Sequence, residues 1–140
     1  MKLFTTLTSL FLLVSSTMAA VATISFDEFY DNASEPLTSV ECSDGPYGLM
    51  TKGFTTFGSL PSFPGIGGTE FIPGYGSPNC GSCWKLTYQG RSITVLAIDH
   101  ARTGFTISLA AMDELTGGQA VSLGRINADA TRVSPAQCGL

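Results

Sequence analysis

The alternation of polar and apolar residues is clearest between residues 83 and 99. Residues 83–88 read CWKLTY and residues 91–99 read RSITVLAID, and the two runs are separated by Gln89-Gly90. Runs rich in β-branched and aromatic residues predict strands, and a two-residue connection that ends in glycine suits a tight hairpin turn. The pattern therefore predicts a β-hairpin in this part of the chain.

Shorter segments predict the remaining elements. Strands are predicted at residues 23–27 (TISFD), 105–108 (FTIS) and 125–133 (RINADATRV), and shorter ones at 53–59 (GFTTFGS) and 69–73 (TEFIP) within a loop-rich region, residues 45–81. Helices are predicted at residues 37–42 and at residues 109–115, where Gly117-Gly118 ends the second. The sum is a small, mostly β domain with short helices, for which we expect a barrel.

The first twenty residues have the layout of a secretory signal peptide. Lys2 supplies a positive charge, residues 10–14 form an apolar centre, and small residues end at Ala20. The apolar run is too short to span a bilayer. We expect cleavage after Ala20, a single domain over residues 21–140, and an extracellular protein.

The charge of the chain bears on its partners. The sequence has seven basic and eleven acidic residues, and loss of Lys2 with the signal peptide leaves a formal charge of −5 with no basic cluster. Binding to phosphates requires a basic surface, so nucleic acid and anionic membranes are not expected partners. The composition suits a neutral partner, and it indicates neither a cofactor nor a metal.

All four cysteines lie after the predicted signal peptide. Cys42, Cys80, Cys83 and Cys138 predict two disulfides in an oxidising compartment, and their spacing leaves all three pairings open. Cys80 and Cys83 form a C-x-x-C motif, which also occurs in redox proteins and in zinc sites. A redox pair would open a helix, whereas a strand-like segment follows here, and a zinc site needs a second close ligand pair. Structural disulfides are therefore favoured.

The candidate acid–base chemistry is at the end of residues 91–99, where Asp99 precedes His100, the single histidine. Neighbours on a strand point to opposite faces, so the two should not form a catalytic pair. The chain has no G-x-S-x-G element, and the imidazole lacks partner ligands for a metal. We interpret His100 as a surface or loop-packing residue. Asp99 is the better candidate, since a carboxylate at the end of a buried strand needs a ligand or backbone donors.

Two further features are weaker signals. Aromatic residues in the glycine- and proline-rich loops are expected to be exposed and could stack on sugar rings: Tyr47, Phe57, Phe63 and Tyr75. Residues 32–34, Asn-Ala-Ser, match the acceptor motif for N-glycosylation. The sequence does not show whether that motif is used.

Longer motifs carry a resemblance to a known family. CSDGPYGLMTKGFTTFGSLPSFPGIGG, SPNCGSCWKLTY, SITVLAIDHA, GFTISLAAM and a terminal CGL occur in this order over residues 42–140. Together they closely resemble the cerato-platanin family of small proteins secreted by filamentous fungi. The resemblance implies a six-stranded double-psi β-barrel with short helices. It also implies the disulfides Cys42–Cys80 and Cys83–Cys138.

The same resemblance implies a function without catalysis. Members of the family bind chitin or N-acetylglucosamine oligomers, and they loosen cellulosic glucan in an expansin-like way without hydrolysis. They act at cell walls, assemble with themselves at interfaces, and are perceived by plant hosts as elicitors or serve as virulence factors. A weak polysaccharide hydrolase and a surface-active coat protein are the alternatives.

The related expansins and barwin-like endoglucanases suggest the site residues. Asp99 in AID is similar to an aspartate at a strand end in those proteins, and Thr106 stands where a second, acidic residue would be. A threonine cannot protonate a leaving glycosidic oxygen, so the pair is incomplete. GFTTFGS resembles an expansin Thr/Ser cluster. The candidate carbohydrate-binding residues are Asp99, Thr106, Thr55, Thr56, Ser59 and Phe57.

Overall fold

The computed structural model describes residues 2–13 and 19–140. In these residues, six strands close into a mixed barrel in the order β1-β5-β2-β4-β3-β6. The strands are β1 (Ala20–Phe26), β2 (Ile66–Thr69), β3 (Cys83–Tyr88), β4 (Arg91–His100), β5 (Phe105–Ile107) and β6 (Arg125–Val133). The predicted six-stranded barrel is confirmed.

Short helices surround the barrel. The α-helices are α1 (Leu109–Thr116) and α2 (Ala120–Leu123), and the 3₁₀ helices are Glu28–Asp31, Leu37–Ser39, Leu49–Lys52, Phe57–Ser59 and Pro135–Cys138. Helix α1 begins after Ser108, whose hydroxyl accepts from the Ala111 amide at 3.0 Å, and it ends at Gly117, whose φ of 67° is left-handed. Of the helix predicted at residues 37–42, only one 3₁₀ turn forms.

The predicted hairpin is present as β3 and β4, which pair antiparallel from Cys83↔Leu96 to Tyr88↔Arg91. Gln89 and Gly90 form its turn with φ values of 46° and 79°. Two left-handed residues in a row match the twist of a two-residue hairpin. Strand β6 also covers the predicted residues 125–133, and it pairs with both β1 and β3.

The loop-rich region differs from its prediction. The segment GFTTFGS is not a strand, because Thr56 and Ser59 form a capping box that begins the 3₁₀ helix at Phe57. Only Thr69 of TEFIP belongs to a strand. That strand, β2, was not predicted because two of its four residues are glycine. A Cβ on Gly67 would overlap the Thr106 carbonyl oxygen of β5, so the glycine permits the close approach of the two strands.

Both disulfides have the pairing that the resemblance implies. Cys42–Cys80 joins two loops with a Cα–Cα distance of 5.4 Å, and Cys83–Cys138 ties β3 to the last 3₁₀ helix at 5.8 Å. The largest fully buried side chains come from the barrel strands, from α1 and from the covering loops; they include Ile24, Leu86, Leu96, Ile98, Phe105, Ile107 and Met112.

The predicted signal peptide lies only in part within the described residues, since residues 1 and 14–18 are outside them. Residues 2–13 have no regular structure. Strand β1 begins at Ala20, the last residue of the predicted signal peptide. In the described part of the chain, no helix is long and apolar enough to cross a membrane.

Candidate functional site

Strand pairing places several polar residues in one row across four strands. Asp99 of β4 pairs with Gly68 of β2, Gly68 pairs with Thr106 of β5, and Thr106 pairs with Ser25 of β1. Ile98 before Asp99, and Phe105 and Ile107 on either side of Thr106, are buried on the barrel side, so Asp99 and Thr106 face outward. We call Ser25, Thr106, Gly68 and Asp99 the outer row. Asp99 and Thr106 are two strands apart, roughly 10 Å between Cα atoms.

Three donors hold the carboxylate of Asp99. The Tyr30 hydroxyl donates to Oδ2 at 2.9 Å, the Glu41 amide donates to Oδ1 at 3.1 Å, and the His100 amide donates to Oδ1 at 2.9 Å. A carboxylate can accept about four hydrogen bonds, so Oδ2 retains acceptor capacity for a ligand. The sequence predicted that this carboxylate needs a ligand or backbone donors, and the structure supplies two backbone donors and a phenol.

Tyr30 is a site residue that sequence reasoning missed. Its side chain is buried, and burial, together with the neighbouring charge of Asp99, raises its pKa well above the ordinary value of a tyrosine. The phenol therefore stays protonated and donates. The place where a Cβ of Gly68 would lie is 3.1 Å from the Tyr30 hydroxyl and 2.8 Å from the His100 carbonyl oxygen. A larger residue than glycine would displace that hydroxyl.

Phe57 is not exposed, and the prediction that it is an exposed platform for sugar is wrong. Its side chain has 0% exposure. The ring lies 5.3 Å from that of Phe29, edge to face, and 6.1 Å from that of Tyr30, stacked. Phe57 therefore packs against the rings of Phe29 and Tyr30 and does not contact solvent. Of the other loop aromatics, Tyr47 and Tyr75 are exposed, as predicted.

The predicted Thr/Ser cluster forms a separate turn beside this aromatic group. The Ser59 hydroxyl accepts from the amides of Thr55 and Thr56 at 3.1 and 3.2 Å, and it donates to the Thr56 carbonyl at 2.7 Å. These bonds fix the turn locally. The turn reaches the outer row through the side chains of Phe57 and Tyr30, so the structure does not bring Thr55, Thr56 and Ser59 into the row itself.

The side chain of His100 is directed at another part of the molecule. Its Nδ1 lies 2.7 Å from the Ile72 carbonyl oxygen. Because a carbonyl oxygen only accepts, Nδ1 donates, and the imidazole fastens the loop after β2. The contact of His100 with Asp99 is made by its backbone amide.

Asp99 is the one carboxylate of the outer row. Two acids close to Tyr30 in the chain serve as helix caps: Asp27 accepts from the Phe29 amide at 2.9 Å, and Asp31 accepts from the first two amides of α1 at 2.7 and 3.0 Å. Both carboxylates therefore have a structural role, since each accepts hydrogen bonds from backbone amides at the start of a helix. Thr106 contributes a hydroxyl, which lies 3.4 Å from that of Ser25.

The outer row lies outside the depressions of the surface: Ser25, Thr106 and Asp99 are half-buried, and Gly68 is buried against the Tyr30 hydroxyl. Two depressions lie elsewhere on the molecule, one of about 270 Å³ that includes Ser62, Thr94 and Glu114, and one of about 330 Å³ that includes Val21 and Asp129. Neither is lined by a residue of the outer row. A polar row that lies outside both depressions suits an extended ligand better than a small molecule that must be enclosed.

Comparisons with known proteins agree with this architecture. A family model described as cerato-platanin matches residues 22–140. Allergen Asp f 15 of Aspergillus fumigatus is 45% identical over 149 residues, which covers 99% of this chain and 97% of the allergen. Cerato-platanin of Ceratocystis fimbriata f. sp. platani is 38% identical over 128 residues, or 90% of this chain and 91% of that protein.

Solved structures give the same result. The crystal structure of cerato-platanin 2 from M. perniciosa superposes with a TM-score of 0.83 at 47% identity, covering 86% of this chain and 100% of that one. The solution structure of the fungal elicitor cerato-platanin superposes with a TM-score of 0.75 at 38% identity, covering 83% and 95%.

Proposed function

The chain belongs to the cerato-platanin family, and on that premise we propose that it binds chitin or other N-acetylglucosamine oligomers and loosens wall polysaccharide without cutting it. Proteins of this family are secreted by fungi, and the names of the relatives, an allergen and an elicitor, are not those of enzymes. We further propose that the protein acts at cell walls and that plant hosts perceive it as an elicitor or virulence factor.

The observation that carries the proposal is the outer row. It combines a fixed carboxylate, which has acceptor capacity left on Oδ2, with the half-buried hydroxyls of Thr106 and Ser25 on the same outward face. Neutral sugars offer hydroxyl donors and acceptors, and an N-acetyl group adds an amide donor. A hydrogen bond from such a donor to Asp99 is charge-assisted and therefore among the stronger polar contacts available.

The absence of hydrolysis follows from the same row. Glycoside hydrolysis generally uses two carboxyl groups about 5–9.5 Å apart, one of which protonates the leaving oxygen. Asp99 supplies one carboxylate, and the hydroxyl of Thr106 cannot act as the acid. Asp27 and Asp31 are bound to backbone amides as caps. A hydrolase would require one of these or another acid of the chain to approach the substrate within reach of Asp99.

The exposed loop aromatics favour a second candidate function, self-association at an interface. Phe71, Tyr47 and Tyr75 are 40%, 49% and 61% exposed. Such residues could bring copies of the protein together at an air–water or wall surface. In that case assembly should persist when Asp99 is replaced, whereas oligosaccharide binding should not.

The test is the affinity for an N-acetylglucosamine hexamer, measured by calorimetry. Asp99→Asn keeps the size of the side chain and replaces a charge-assisted hydrogen bond to the sugar by a neutral one, so we expect a loss of roughly tenfold. Thr106→Val should weaken binding less, and His100→Ala is the control that should bind as wild type. Unchanged affinity in Asp99→Asn, with the fold intact by circular dichroism, would show that the assigned surface is wrong.

Hydrolysis is tested separately. Reducing ends are measured after incubation of the purified protein with chitin and cello-oligomers, with a catalytically active chitinase as positive control. We expect no release above the buffer background from wild type or from Thr106→Asp. Release that disappears in Asp99→Asn would favour the hydrolase.

A further inference from the structure

The motif Asn32-Ala33-Ser34 lies on the surface at a turn that no part of the proposed function uses. It is the single Asn-x-Ser/Thr motif of the sequence, and it directly follows the 3₁₀ helix Glu28–Asp31. All three of its residues are exposed. An acceptor motif on an exposed turn of a secreted protein is accessible to oligosaccharide transfer.

The local geometry presents the side-chain amide of Asn32 to solvent. Its Oδ1 accepts from the Ser34 amide at 3.2 Å, which closes an Asx turn, and its Nδ2 donates to the Glu35 carboxylate at 3.1 Å in an exposed contact. The backbone of the turn is held independently, since the Gly58 amide donates to the Ala33 carbonyl at 2.9 Å. A substituent on Nδ2 would therefore displace one surface hydrogen bond and leave the turn intact.

An aromatic ring lies close to this turn in sequence. Asn32 follows Phe29 by three residues, and its amide donates to the Phe29 carbonyl at 3.4 Å. Asn32 is the C-cap of the 3₁₀ helix that contains Phe29, so the two residues are one 3₁₀ turn apart. Phe29 is 36% exposed, and its ring is fixed from below by edge-to-face contacts with Tyr30 and Phe57, both at 5.3 Å. The result is a rigid, partly exposed apolar face one 3₁₀ turn before Asn32.

We propose that Asn32 carries an N-linked glycan and that its first N-acetylglucosamine packs on the exposed face of Phe29. The donor is a lipid-linked oligosaccharide diphosphate. A bond forms between Nδ2 and C1 of the sugar, the bond from C1 to the diphosphate oxygen breaks, the lipid diphosphate leaves, and Nδ2 loses a proton. The glycan explains why a phenylalanine is exposed here, since the apolar face of the sugar ring covers it. The inference does not depend on the ligand of the outer row.

The modification itself is tested by intact mass of protein secreted from a eukaryotic host. We expect wild type and Ser34→Thr to carry a mass above that of the polypeptide, which peptide-N-glycosidase removes. Asn32→Gln and Ser34→Ala should have the mass of the bare chain. Asn127→Gln changes an asparagine outside any motif and should keep the glycan. Wild-type protein with the bare mass would overturn the proposal.

The packing on Phe29 is tested by trimming the glycan in two ways. An endoglycosidase that leaves one N-acetylglucosamine should preserve the Tm, whereas peptide-N-glycosidase, which leaves aspartate, should lower it by roughly 2–4 °C. Asn32→Asp made without glycan should match the fully trimmed protein. In Phe29→Leu and Phe29→Ala, each compared with its own trimmed form, the difference should vanish. A difference that persists in both variants, or that is missing in wild type, would contradict the packing.

Discussion

Replacing Asp99 by alanine should destabilise the fold as well as weaken sugar binding. The carboxylate accepts from Tyr30, Glu41 and His100, which belong to three different segments around the barrel end. The segment with Tyr30 is 69 residues away in sequence and the one with Glu41 is 58 residues away. Asp99 is therefore a cross-link between the 3₁₀ helix after β1, the loop before Cys42, and β4.

The magnitude follows from what each donor loses. The Tyr30 hydroxyl is buried, and leaving it without an acceptor costs about 1–3 kcal/mol. The bond from the His100 amide is exposed and the bond from the Glu41 amide is partly buried, so water can replace part of both and they add about 1 kcal/mol together. The expected loss in the free energy of unfolding is about 2–4 kcal/mol. For a domain of this size that corresponds to a Tm lower by about 8–16 °C.

The assay is urea unfolding of wild type, Asp99→Ala, Tyr30→Phe and the double variant. In the double variant the buried hydroxyl is gone, so its destabilisation should be smaller than the sum of the single variants by about 1–2 kcal/mol. Asp129→Ala removes an exposed carboxylate from β6 and is the control, expected within about 0.5 kcal/mol of wild type. Stability of Asp99→Ala equal to that of Asp129→Ala, or additivity in the double variant, would refute this reasoning.

Three further predictions concern the disulfides, His100 and Tyr30. The disulfides close separations of 38 and 55 residues, so removing either one should lower the free energy of unfolding by about 4 kcal/mol. Urea unfolding of a variant with both Cys42 and Cys80 replaced by serine, and of one with Cys83 and Cys138 replaced, measures this, and unchanged stability would contradict it. His100→Ala loses the bond to Ile72 and should cost about 0.5–1.5 kcal/mol in urea unfolding without changing oligosaccharide affinity; a tenfold loss of affinity would give the imidazole a role in binding. Because the pKa of Tyr30 is raised in the fold, above about pH 10 the unfolded state loses the Tyr30 proton while the folded state keeps it, and the free energy of unfolding should fall by about 1.4 kcal/mol per pH unit. When unfolding is measured at several alkaline pH values, this decrease per pH unit should be smaller in Tyr30→Phe. Equal decreases in both proteins would contradict the assignment.

The pattern of polar and apolar residues was sufficient to predict the elements whose partners lie close by in the sequence. The hairpin of β3 and β4 was predictable because Gln89-Gly90 forces the two runs together. Strand β2 was not, because its Gly67 and Gly68 carry no periodicity and are required by the tertiary approach of β5 and Tyr30. The segment around Phe57 has a strand-like composition, but its capping box and the burial of that ring give a 3₁₀ turn.

The candidate site was also predictable from the sequence only in part. The position of Asp99 at the end of a buried strand is visible in the sequence. Its partner Tyr30 is not, since nothing local distinguishes Tyr30 from other aromatic residues and the contact spans 69 residues. The outer row joins β4, β2, β5 and β1, so it required the strand order of the closed barrel, which follows from packing and not from the spacing of Asp99 and Thr106.

The most direct test of sugar binding at the outer row is a titration of isotope-labelled protein with an N-acetylglucosamine hexamer, followed by the backbone amide shifts. Binding at the outer row predicts saturable shifts that centre on Asp99, Thr106 and Ser25 and extend to Tyr30, with the hexamer recovered uncut. Saturable shifts centred instead on the depression near Thr94 and Glu114, or no shifts at all, would contradict it.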